Sequence, residues 1–192
     1  MNGVSDQRLA LAAHTTLARH QNDMSAPASP VERPFTETYL LAYSDEHVFY
    51  EIDMFLWLAQ VCGGGAKIGA GSHGDATRLS NVLIEAFVVH LRNLIDFLYI
   101  DAPQKTDVVA ADFCAAGTWK AARPPLSSVL DKARKRAHKE IAHLTTNRLT
   151  GSPPAKEWEF VALATEIQSV LRVFAKTAMP SWLSERARSV IG

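Results

Sequence analysis

From Ser44 onward, apolar side chains return every three or four positions: Val48, Ile52, Phe55, Leu56 and Ala59 line one face as far as Cys62. That period belongs to an amphipathic helix. Ser44, followed by Asp45 and Glu46, reads as its N-cap and acidic first turn. The run "GGGAKIGAGSHGD" then ends it. This run lacks the glycine–lysine–serine/threonine order of a phosphate-binding loop and reads as a connector. A second helix is predicted from about Asp75 to Ile100. Leu79, Val82, Leu83, Ala86, Phe87, Leu91, Leu94, Ile95, Phe97 and Leu98 occupy most of its circumference, which predicts burial on several sides. Arg78, Glu85, Arg92 and Asp96 interrupt that apolar surface in one stripe about 40° wide. Charges on so greasy a helix must be paired or used. Glu85 reaches Arg92 two turns on, and Arg92 reaches Asp96 at i, i+4.

Residues 101–125 read as a loop with one helical turn at Val108–Phe113. Pro124 and Pro125 precede a third helix, about Leu126 to Thr146, whose core stripe is Leu130, Ala133, Ala137, Ile141 and Leu144 with Leu126. After Pro153 and Pro154 a fourth runs from Trp158 to Ala178, with Phe160, Leu163, Ile167, Val170, Leu171 and Phe174 inward. Pro180 closes it, and Trp182–Val190 predicts a short terminal helix. At the other end, Ser5 to His20 predicts an amphipathic helix through Leu9, Ala12, Ala13, Thr16 and Leu17. Pro27, Pro30 and Pro34 mark a linker after it, so residues 1–35 form an arm and 36–192 the body. No alternating strand pattern and no repeat occurs. The expected fold is all-α: an up-down four-helix-type bundle with an N-terminal helical arm and a short C-terminal helix.

Composition adds to this in one respect. With 192 residues, 47% of them hydrophobic, the chain is long enough to bury a core. Twenty basic residues balance twenty acidic ones, so no global field marks a polyanion or membrane partner. Locally the balance fails. From Glu32 to Asp53, six acidic residues face Arg33 alone, a net of −5; from Arg123 to Arg148, seven basic residues face Asp131 and Glu140, a net of +5. Such opposed patches pair within the fold, pair between subunits, or leave the basic one for an anion. Two cysteines, Cys62 and Cys114, make neither a disulfide framework nor a metal quartet and read as small buried side chains. The N-terminus lacks a signal-peptide pattern and no apolar run reaches spanning length, so a cytoplasmic protein with no membrane partner is expected.

The basic patch centres on "RAHKEIAHLTTNR", residues 136–148. Arg136 and His143 lie about 20° apart on the wheel, two turns apart, at the edge of the buried stripe, with Lys139 nearby. A guanidinium there can fork onto two phosphate oxygens and stabilise developing charge. An imidazole beside it can pass a proton to or from a ribose hydroxyl without any metal. The plain reading of the same pair is a histidine packing the helix end and a solvated arginine.

The segment "HKEIAHLTTNR", together with "HLRNLIDFLY" on the preceding helix, resembles the HEPN class of small helical-bundle proteins. More narrowly, it resembles bacterial members with an "RNLIDF"-type helix followed by an "IAHLT"-type one. The resemblance covers about residues 44–178. Members of that class carry an arginine, four to six residues, then a histidine near a helix end. They are commonly metal-independent ribonucleases of defence, toxin–antitoxin or RNA-processing systems, and act as dimers with a composite interfacial site. Carried over, the resemblance makes Arg136 and His143 the catalytic pair, with six residues between them. Arg92, Asp96, Glu85, Asn93 and His138 then support the site, and Lys139 and Arg148 contact RNA. It implies a homodimer, with RNA and an antitoxin-like protein as partners, and no cofactor or metal. Ala137 stands where the family's polar residue follows the arginine, and aligning on "AH" would put His138 in the arginine's place. After Arg92–Asn93, which resembles the motif's opening, no histidine follows at Phe97, Leu98 or Tyr99.

Other chemistries have less behind them. Glu140-x-x-His143 is half of a di-iron ligand pair, but no second such pair exists to join Glu51 and Glu85. His138 and His143 point about 140° apart, against a shared metal with His90. A non-catalytic helical dimer binding RNA, nucleotide or a protein partner is the standing competitor. In it the stripe Glu85–Arg92–Asp96 fixes helix register, and Trp119 and Trp158 are core or interface anchors.

Overall fold

The computed structural model describes residues 35–64, 73–140 and 157–192, and these are all-α, without a strand. The N-terminal arm, the 65–72 connector and residues 141–156, with His143 and Arg148, lie outside the described residues.

Helix α1 (Glu37–Tyr43) starts at Thr36, whose hydroxyl accepts from the Tyr39 N–H at 3.2 Å, with Glu37 in the first turn. It runs without a break through a π-helical stretch, Ser44–Val48, into α2 (Phe49–Gly63). The expected start at Ser44 is therefore corrected. Ser44 is fully buried in the middle of this rod with helical torsions, φ −71 and ψ −32. Its hydroxyl donates to Leu41 O at 2.9 Å and accepts from Ser184 N at 2.9 Å, so the side chain joins the C-terminal segment instead of capping a helix. Ser44–Asp45–Glu46 has the local sequence of a cap, and the contact to Ser184 is what places Ser44 inside the rod instead.

Helix α3 spans His73–Tyr99 and lies antiparallel to α2: Phe55 stacks on Phe87 at 5.1 Å, while Glu51, one turn earlier, meets His90. Phe87, Val88, Leu91, Leu94, Ile95 and Leu98 are buried as their spacing requires. Val82 and Val89 are not; both point to solvent, so α3 is covered on fewer sides than its apolar circumference predicts. The stretch after it is more ordered than a loop. Asp112 accepts from the Val109 N–H at 2.8 Å and starts a 3₁₀ turn, Ala110–Phe113, and Gly117, at φ 75, opens α4 (Thr118–Ala122).

Trp119 on α4 is 2% exposed, and its indole N–H donates to Leu98 O at 2.9 Å. That carbonyl belongs to the last turn of α3, where no helical partner remains. Around Phe174 the rings of Phe97, Phe113 and Trp119 stand edge-on, within 5.3 to 5.8 Å. Helix α5 (Ser128–Glu140) is capped by Ser127, whose hydroxyl accepts from Leu130 N at 3.1 Å and donates to Glu166. It buries Leu130, Ala133 and Ala137 of the predicted stripe, with Leu126 half-buried before it; Ile141 and Leu144 lie outside the described residues. Helix α6 (Phe160–Thr177) turns Leu163, Ile167, Val170, Leu171 and Phe174 inward. Helix α7 (Glu185–Ile191), capped by Ser184, folds back, and Arg188 donates to the carbonyls of Ala175 and Ala178 at the end of α6.

Candidate functional site

Residues on α5 divide into two groups with different surroundings. Arg134 points at α3, with its Nε 2.7 Å from Asp96 Oδ1; Arg92 Nε sits 3.6 Å from the other carboxylate oxygen. The Arg134 contact is ionic rather than directional, since Oδ1 accepts no hydrogen bond although solvent does not reach it. Asp96 thus joins α3 to α5, and Arg92 is its second cation. Glu85, expected to share Arg92, is exposed and forms no ion pair with it among the described residues.

Two residues on, about 200° around the helix, Arg136 faces elsewhere. Its guanidinium lies over the Trp158 ring at 4.1 Å and donates to Glu157 O at 2.7 Å. Contact of this kind with an aromatic face, together with the bond to Glu157 O, holds the planar fork in one orientation. Lys132, Lys135, His138 and Lys139 are exposed around it, Lys135 also meeting Asp131 at 2.6 Å. The basic run is therefore a solvent-facing surface with one half-buried arginine fixed on an aromatic base. Arg136 and Arg92, expected to serve one site, have different partners on different sides of α5. Trp158, expected as an anchor, is the platform under Arg136.

A second assembly gathers two of the expected supporting residues, Asn93 and Asp96, with residues that were not expected to share a site. Between the π-helical stretch, the last turns of α3 and the 106–109 segment lies a hollow of about 470 Å³. Tyr43, His47, Val48 and Glu51 line it from the first rod, and Asn93, Asp96 and Phe97 from the neighbouring α3. Glu51 is its best-supported polar group. His90, 8% exposed, lies with Nδ1 2.7 Å from Glu51 Oε2, and Asn93 Nδ2 donates to both carboxylate oxygens at 3.3 Å. An ionised carboxylate only accepts, so the Nδ1 proton of His90 is the donor. Burial pushes the Tyr43 phenol up, with the charges of Tyr39 and Glu51 adding to the effect. The sequence signal for this pair is weak: Glu51 and His90 lie on separate helices, and only their antiparallel register brings them together.

Among the described residues no group of three or more His, Cys, Asp or Glu is placed to hold a metal ion. Nor is any helix among them long and apolar enough to cross a membrane. Set against known protein families, curated proteins and solved structures, the chain finds no match in any of the three.

Proposed function

We propose that this chain is a HEPN-like helical protein that acts on RNA. The exposed lysines of α5 grip the phosphate backbone, Arg136 clamps the scissile phosphate, and His143 moves the proton. The reaction is metal-independent endoribonucleolytic cleavage of the defence or toxin–antitoxin kind, by a homodimer. One observation carries the reading: the Arg136 guanidinium lies over the Trp158 ring on a helix whose lysines are exposed. A stacked guanidinium beside exposed lysines is the arrangement that phosphate recognition asks for.

The test is cleavage of single-stranded and structured RNAs in EDTA. Wild type is expected to cut, His143→Ala to lose about 100-fold or more in rate while retaining RNA, and Arg136→Ala to lose both rate and retention. Equal cleavage by wild type and His143→Ala, or none by either on any RNA, removes the enzymatic claim.

The placement of Arg92 favours a second reading, a binding module without turnover. Arg92 is committed to Asp96 beside Arg134 and does not back up Arg136. On that reading Arg136→Ala and Lys139→Ala weaken RNA retention and no variant changes cleavage, because there is none.

A further inference from the structure

The hollow beside the π-helical stretch is independent of the RNA reading, and we infer that it is a binding site for a small organic cation, an amine carried on a compact apolar body. Its size falls within the range of about 300–1,000 Å³ typical of small-ligand sites. Phe97, Val48, Leu94, Ile100 and Val108 supply apolar walls, which select a ligand with hydrocarbon to bury. Glu51 supplies the charge. Its side chain is 29% exposed and lines the hollow, held by the nearly buried His90 at Oε2 and by Asn93, which also lines the hollow, at both oxygens. A carboxylate offers about four acceptor positions, so these donors leave room for an ammonium group.

That support fixes the carboxylate before any ligand arrives, as a second shell does in a prepared site. Two other carboxylates line the hollow: Asp96 is matched by Arg134 and Arg92, and Asp107 accepts from the Gln104 N–H at 2.8 Å, so Glu51 sets the preference. The π-helical turn is the independent sign of use. A run of i→i+5 bonds is rare and recurs at functional sites, and here it carries His47 and Val48, which line the hollow, and follows directly on Tyr43. The rings of Tyr43 and His47, 4.8 Å apart, both line the hollow.

The experiment uses the full chain with phenethylamine and its neutral counterpart 2-phenylethanol, by calorimetry at low salt and by amide chemical-shift mapping. Wild type is expected to bind the amine at least about tenfold more tightly than the alcohol. The amide shifts should concentrate at Glu51, Asn93 and Val108. Glu51→Gln should erase the preference, and Val108→Trp, which fills the hollow, should abolish binding of both compounds. Equal affinity for the two compounds in wild type, or shifts mapping elsewhere on the protein, overturns the inference without requiring any variant to fold. A preference that survives in folded Glu51→Gln overturns it as well. RNA retention measured on the same samples separates this outcome from the fate of the α5 surface.

Discussion

Ser44 shows how a single side chain can do tertiary work that its local sequence conceals. Its hydroxyl is the acceptor for the buried N–H of Ser184, itself the N-cap of α7. Ser44→Ala leaves that donor without a partner and is expected to cost about 1–3 kcal/mol, read as a lower urea midpoint at unchanged slope. Tyr99 is the converse. Its hydroxyl is buried and has no hydrogen-bond partner among the described residues, so Tyr99→Phe removes an unsatisfied group and should leave stability unchanged or higher in the same measurement. Cys114 is buried against α4 and the 3₁₀ turn, and desolvation pushes its thiol up to about 11 from 9.0. At pH 8 a thiol reagent is expected to label the partly exposed Cys62 and spare Cys114 until the chain unfolds. Because the folded value lies above the unfolded one, the protonated thiol is what the fold accommodates. Its contribution is complete below pH 9 and is lost as pH rises toward 11.

Among the elements, α3 and α6 are the most readable and the first helix the least. Leu163, Ile167, Val170, Leu171 and Phe174 repeat with helical spacing in the sequence and are the buried face of α6, because one side of that helix meets everything it packs against. The rod from Glu37 to Gly63 hides its π-helical stretch, since no local spacing encodes an i→i+5 turn. The short α4 reads as loop because its five residues have little helical preference to gain; the Trp119 bond to Leu98 O holds it in place. The link between α3 and α5 rests on Asp96. With Arg134 37% exposed, Asp96→Asn is expected to cost only about 0.5–1 kcal/mol, less in high salt, measurable as a salt-dependent drop in Tm.

For the molecule as a whole, among the described residues, cations of the basic segment are matched by acids outside the 32–53 run. Arg123 pairs with Asp101 at 2.8 Å and Arg134 with Asp96, both acids near the end of α3 and outside the acidic 32–53 run. The lysines of α5 remain at the surface. If they bind phosphates, log affinity for single-stranded RNA should fall linearly with log salt. The double variant Lys132→Glu/Lys135→Glu should flatten that slope by roughly 0.7 for each phosphate no longer neutralised. An unchanged slope would move the RNA-binding surface away from α5.

Periodicity determined the helical class and the buried faces of α6 and of the described part of α5, and local composition the basic character of the 123–148 segment, because these are properties of near neighbours in the chain. Which arginine stacks on Trp158 and which pairs with Asp96 was decided by the tertiary structure, as were the joining of Glu51 to His90 and the burial of Ser44. Each depends on the register between helices distant in sequence, and that register is set by packing of the whole core rather than by any local run of residues.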